Sequence, residues 1–271
     1  MRNIIRVIRR ARFLIARRII QISIIALFSL QGFWLKGDLS SSLLFEQVSL
    51  SDPFAFLQIS LSTLYVQTSL LLSALVVFGF YALLGGRVFC GWICPVNIIT
   101  DFAAFCRDSF GFKGSRLVTI SKSLRYYLLI LSLVLSLILG WPVFEHLSFV
   151  GIIQRGLIFG FSSAIYVGFL LFVFDLFFQK RAICSHICPL GGFYALASKP
   201  FAKMSLLHVV YEKDDCDKCM NCKKVCPEEQ VLFMLNKHSA PVLGSECLRC
   251  GRCVDVCDSD ALNFNILKGL K

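Results

Sequence analysis

Residues 54–84 read FAFLQISLSTLYVQTSLLLSALVVFGFYALL, a run of 31 positions without one formal charge. A bilayer core about 30 Å thick takes roughly 20 helical residues to cross. The run is therefore predicted as a transmembrane helix longer than one passage, its excess lying in the interface or absorbed by tilt. Three more uncharged stretches approach span length, at 19–35, 126–144 and 156–174. Serine and glutamine inside them are tolerated because a helix satisfies its own backbone. Pro142 and the Gly85-Gly86 pair read as helix ends.

Composition points the same way. The chain has 271 residues, 56% of them hydrophobic and only 17% charged, too apolar for one water-exposed globule. From residue 200 onward ten basic residues balance ten acidic ones, so the whole formal excess of +11 lies before that point. Three regions are expected: a basic tail over 1–18, a four-helix membrane region over 19–200, and a differently composed region over 201–271. Arg2, Arg6, Arg9, Arg10, Arg12, Arg17 and Arg18 in the tail, and Arg87, Arg107, Lys113, Arg116, Lys122 and Arg125 in the 85–125 loop, place both termini in the cytoplasm by the positive-inside rule. Trp34 and Trp141 then mark outer ends and Trp92 an inner one. The basic excess is assigned to the surface of the bacterial inner membrane, and no nucleic-acid partner is expected. Arg9-Arg10 is out of phase with a twin-arginine signal, and no small-residue cleavage site follows the first run.

Just past the second run the chain reads RVFCGWICP (87–95), and just past the fourth RAICSHICP (181–189). Both are Arg-x-x-Cys-x-x-x-Cys-Pro, which implies an internal repeat of two helical hairpins. Proline suits the first position of a helix. A cysteine pair before a helix N-terminus, with an arginine nearby, is held toward thiolate. Brought together, Cys90, Cys94, Cys184 and Cys188 would form a sulfur site fit for iron-sulfur or zinc. Redox thiols, the wall of a quinone pocket, or plain buried packing are the alternatives. Cys106, outside the pattern, is read as structural.

The tail carries CDKCMNCKKVCP from 216 and CLRCGRCVDVC from 247, that is Cys-x2-Cys-x2-Cys-x3-Cys twice. This is the bacterial two-cluster ferredoxin run, in which three cysteines hold one 4Fe-4S cluster and the fourth crosses to the other. Cys216, Cys219, Cys222 and Cys257 are then assigned to one cluster, and Cys226, Cys247, Cys250 and Cys253 to the second. Zinc prefers separated Cys-x2-Cys pairs, and disulfides do not suit a reducing compartment. Asp258 stands where a second proline is expected after Cys257, and its charge should lower the potential of the first cluster. The fold expected is thus membrane all-α, four transmembrane helices as two repeated hairpins, plus a small α+β ferredoxin-like domain with two 4Fe-4S clusters.

On these motifs the chain resembles the NapH family, and more broadly the NosR and CcoG relatives, without the extra flavin-binding region of the former or the added C-terminal β domain of the latter. The resemblance implies a quinol dehydrogenase that oxidises menaquinol or ubiquinol and passes electrons, with a NapG-like ferredoxin partner, toward the periplasmic nitrate reductase. A quinol gives two electrons and two protons, whereas each cluster takes one electron, so a proton acceptor is needed. Asp175, the Glu145-His146 pair and His186 are the candidates, because ionisable groups at membrane depth are functional by default. Asp175 could instead pair with Lys180 or Arg181. Rival readings are an iron-sulfur assembly factor or redox sensor without turnover, and a CcoG-like metal-ion reductase.

Overall fold

The computed structural model describes residues 11–30, 35–45, 47–111, 120–160 and 163–266. Arg2, Arg6, Arg9, Arg10, Trp34, Lys113 and Arg116 lie outside the described residues.

The uncharged runs are helical but interrupted. The first becomes α1 (Arg12–Ser29), which begins among the tail arginines. The 31-residue run divides into α2 (Pro53–Thr63) and α3 (Thr68–Leu84). Asp52 caps α2 by accepting from the Phe54 and Ala55 amides at 3.1 and 3.0 Å, and Pro53 occupies the first turn, where its missing donor costs nothing. The helix stops at Leu64, which takes a left-handed conformation with φ 52°. The third run gives α6 (Leu124–Leu139), closed by Gly140 at φ 69°, and the one-turn α7 (Val143–Leu147) after Pro142. The fourth is cut by Gly160 at φ 75° into the end of α8 (Phe149–Phe159) and α9 (Ser163–Phe177).

The four-span expectation is overturned by these breaks: among the described residues no helix is long and apolar enough to cross a membrane. At 1.5 Å per residue the 18-residue α1 reaches only about 27 Å, and it carries Arg12, Arg17 and Arg18. α3, which is uncharged, α6, which carries Arg125, and α9, which carries Asp175, are shorter still, at 17, 16 and 15 residues. The all-α expectation fails as well. Leu35–Gly37 (β1), Ser41–Leu44 (β2) and Val48–Ser51 (β3) form an antiparallel sheet in the order β1-β2-β3. The apolar faces of α3, α6 and α9 nonetheless stay exposed, with Leu72, Phe80, Ile130, Ile138, Ile165 and Phe169 all more than half accessible.

The chain divides into two compact units. The larger comprises 21–80 and 94–193. In it α5 (Val96–Ser109) packs on α9, α2 on α6, and α8 on α9. Gln58, fully buried, fastens α2 to α7 by accepting from the Phe144 amide at 2.9 Å. The smaller unit gathers three separate segments, 1–20, 81–93 and 194–271. Its centre is a sheet in the order β5-β4-β6, with β4 (Leu207–Tyr211) between β5 (Ala240–Pro241) and β6 (Leu262–Ile266). Val209, Tyr211, Leu232, Met234 and Leu262 make its core, and the cysteines of the tail pack against that core. Each such apolar side chain contributes roughly 1.5–3 kcal/mol on burial.

Candidate functional site

The two cysteine motifs of the tail fold alike. In each, the second residue after the first cysteine (Lys218, Arg249) and the residue after the second cysteine (Met220, Gly251) are left-handed, with φ 57°, 49°, 59° and 74°. These turns bend the backbone back on the thiol, so the Lys218 amide donates to Cys216 Sγ and the Arg249 amide to Cys247 Sγ, both at 3.4 Å. One helical turn follows in each case, α11 (Asn221–Val225) and α12 (Arg252–Asp255).

Two cavities result. The walls of one include Cys226, Cys247, Cys250 and Cys253; those of the other include Cys216, Cys219, Cys222 and Cys257. The fourth cysteine of each motif thus lies with the first three of the other. The rest of the lining is mostly apolar. Among the described residues no three Cys, His, Asp or Glu side chains converge on a point where a single metal ion could sit. The thiols surround a space instead.

Burial, and then mutual repulsion, raise the thiols. Cys247 is pushed up to about 11, Cys253 and Cys226 well above the ordinary thiol value, and Cys222 upward. Four such groups become thiolates only with positive charge among them, which is what metal ions supply. Soft sulfur donors in fours, apolar walls and backbone N–H groups aimed at sulfur fit a 4Fe-4S cluster.

The first Cys-x3-Cys-Pro motif belongs to this unit as far as Ile93. The Arg87 amide donates to the Cys247 carbonyl at 3.0 Å, and Trp92 Nε1 donates to the Arg249 carbonyl at 2.9 Å. Gly86 has φ +61°, and a Cβ there would meet the Cys247 carbonyl oxygen at 2.4 Å; one on Gly91 would meet that of Leu248 at 2.7 Å. Glycine is what lets this segment lie against the 247–250 loop. Arg87 Nη1 donates to Glu228 Oε1 at 2.6 Å, with both side chains out of solvent, and Glu228 lines the first cavity. Sequence reading took Gly85-Gly86 as a helix end and Arg87 as a helper of the thiols. It missed Glu228 and Arg249 and took Trp92 for an interface marker, because the strength of local patterns says nothing of partners 140 or more positions away.

Cys90 is buried in α4 (Val88–Trp92), two residues before the end of that short helix. Cys94, Cys184 and Cys188 fall in the other unit. Cys94 and Cys188 are buried and stand just ahead of Pro95 and Pro189, which open α5 and α10 (Pro189–Ala197). The carbonyl of Cys94 accepts from Gln21 Nε2 at 3.3 Å. Cys184 lies in a π-helical turn, Ile183–Ile187, with its thiol 3.8 Å from Thr100 Oγ1. Cys106 is half-buried on α5.

Asp175 is fully buried on α9, and burial lifts its carboxyl to about 7. Its Oδ1 accepts from the Ile183 amide at 3.1 Å, so it holds the start of the π turn, while Oδ2 has no hydrogen-bond partner. Of the alternative partners, Lys180 pairs with Asp108 at 2.6 Å, while Arg181 pairs with Asp101 at 3.0 Å and its charge also acts on Asp175. His186 is buried with its Nε2 3.2 Å from Gln179 Nε2. Glu145 is raised by burial and ion-paired to Arg155, which also reaches Asp38 at 2.7 Å. His146 is exposed beside Trp141, ring centroids 5.1 Å apart.

A family model described as "4Fe-4S dicluster domain" matches residues 208–258. A second, "4Fe-4S binding domain", matches twice, over 66–113 and 159–206, bracketing both Cys-x3-Cys-Pro motifs. The ferredoxin-type protein NapH of Haemophilus influenzae is 38% identical over 262 residues, covering 94% of this chain and 90% of its own. The chain belongs to the NapH family of ferredoxin-type proteins. NapH of Escherichia coli is likewise 38% identical, over 264 residues, with the same coverage of 94% and 90%. The methylamine utilization ferredoxin-type protein MauN of Paracoccus denitrificans is 36% identical over 238 residues, 85% of this chain and 82% of its own. No solved structure matches. As a NapH-type chain with 4Fe-4S domains, the protein is an iron-sulfur electron-transfer protein.

Proposed function

We propose that this NapH-type chain holds two 4Fe-4S clusters, one on Cys216, Cys219, Cys222 and Cys257 and one on Cys226, Cys247, Cys250 and Cys253. It takes electrons from a quinol and passes them, with a NapG-like ferredoxin partner, toward a periplasmic nitrate reductase. The observation that carries this reading is the pair of similar cavities, each walled by four cysteines drawn from both motifs. The clusters supply one-electron transfer. The protein's own part is to hold the thiols, line the cavities with apolar side chains and manage protons. Asp175 suits the last task, since a carboxyl lifted to about 7 by burial can accept a proton near neutrality, and its Oδ2 is open to one. The exposed apolar faces of α3, α6 and α9 support a place at the inner membrane, where a lipid-soluble donor is found.

The test is to isolate the protein without oxygen, add menaquinol, and follow the EPR signal of reduced clusters. Reduction is expected, slower in Asp175→Asn. Clusters that dithionite reduces but menaquinol leaves oxidised would remove the quinol from this account and leave the iron-sulfur assignment standing. The MauN likeness supports a second reading, in which the same electron path ends in methylamine utilization. Growth of a deletion strain on nitrate and on methylamine separates the two.

A further inference from the structure

The two cavities differ in the charge that faces them. Behind the loop that carries Cys247 and Cys250, Arg249 is 1% exposed; a Cβ on Gly85 would come within 2.8 Å of its Cζ, and one on Gly86 would lie 3.4 Å from its Nε and 2.4 Å from the Cys247 carbonyl oxygen, so the guanidinium lies close to Cys247. Its Nη2 donates to Ser205 Oγ at 2.9 Å, while Nε and Nη1 have no hydrogen-bond partner. The neighbouring His208 donates from Nε2 to the Ala202 carbonyl at 3.0 Å, and burial together with Arg249 keeps it neutral. The Cys247 sulfur, two residues away, would supply the opposing charge once it binds a cluster as thiolate. A guanidinium this deep is costly unless an anion answers it. Glu228 and Arg87 close on each other at 2.6 Å and cancel, and Arg252 lines the cavity itself.

Among the described residues the Cys216, Cys219, Cys222 and Cys257 cavity has no buried cation in its wall. Asp217 lines it, Cys219 is exposed, and Asp258 follows Cys257 on the surface. Lys218 is exposed beside Asp217 and is screened like it.

We propose that Arg249 is the resident counter-charge of the Cys226, Cys247, Cys250 and Cys253 cluster and sets its potential above that of the other cluster, so that a single electron on the chain resides there. This rests on the two-cluster reading above. A positive charge at fixed distance favours the more negative, reduced state of a cluster. Because Arg249 is buried, salt does not weaken its effect, whereas the exposed aspartates at the other cavity are screened.

The experiment is a redox titration followed by EPR on the full chain, wild type, Arg249→Gln, Arg249→Lys and Asp217→Asn, with iron measured on each sample. About eight iron atoms per chain and two one-electron transitions are expected for the wild type; fewer iron atoms reject the two-cluster reading itself, not the role of Arg249. In Arg249→Gln the upper transition falls until its oxidised-to-reduced ratio changes about tenfold at a fixed poise, about 59 mV for one electron. Arg249→Lys restores most of it, and Asp217→Asn raises only the lower transition. Should Arg249→Gln fail to load iron, the wild type decides: rising salt moves the lower transition upward and leaves the upper one in place. Full iron with both midpoints unmoved in Arg249→Gln, or an upper transition that shifts with salt as much as the lower, overturns the proposal.

Discussion

Arg87 and Arg181 hold the same position in the repeated motif, and each ends in an ion pair with a carboxylate distant in sequence, Glu228 at 2.6 Å and Asp101 at 3.0 Å. The motif's arginine is therefore a strut first. Removing one partner of a buried pair strands the other charge, which costs about 3–5 kcal/mol. Arg87→Met is expected to lose that much and to shed iron, while Arg87→Met with Glu228→Met recovers most of the stability; chemical unfolding and iron content measure both. Asp175 makes a pH-dependent contribution of the opposite kind. Its folded value, about 7, lies above the ordinary 3.8, so the folded protein binds the proton more tightly than the unfolded chain. Stability from this residue is full below the ordinary value and falls as pH rises from about 4 to 7, by about 4 kcal/mol at most. Asp175→Asn should flatten that slope in unfolding curves taken across the window. The sequence singled out Asp175 from its depth in an apolar run, but not that it props the π turn, since the Ile183 amide it accepts from has no signature of its own.

At the level of elements, the cysteine spacings were legible because a ligand run has to be local, and so were Pro95 and Pro189 as helix starts. The helix breaks were not. Leu64 adopts a left-handed turn that its residue type disfavours, and nothing in the uncharged run 54–84 marks position 64 as a stop. Length in sequence was therefore mistaken for length in space, and four spans were expected where shorter helices stand. Lys218, Met220 and Arg249, left-handed without being glycine, were hidden for the same reason. Glycine roles can be told apart by substitution. Gly86→Ala forces a Cβ to 2.4 Å from a carbonyl oxygen and should empty the 247–253 loop of iron, whereas Gly79→Ala, with nothing within 4 Å, should be neutral or stabilise α3 by up to about 1 kcal/mol. Iron content and melting temperature distinguish them.

For the molecule as a whole, the unit that carries the two cysteine cavities is assembled from residues 1–20, 81–93 and 194–271, with the other unit's sequence threaded between. No contiguous stretch of composition could announce that grouping, although the charge balance after residue 200 pointed to its largest part. Thiols whose burial raises them so far need their metal, so chelation under reducing conditions should melt this unit and spare the helical one. Two thermal transitions are expected with iron and a single retained one, at the same temperature, after its removal. Circular dichroism and differential scanning calorimetry are the measurements. The threading also sets a clock on biogenesis. When residues 81–93 leave the ribosome, the loop they must lie against, with Cys247 and Cys250, has yet to be translated. The nascent chain must therefore keep an apolar segment with an uncompensated arginine unsatisfied for most of its synthesis, and neither set of four cysteines is complete before Cys253 in one case and Cys257 in the other is made.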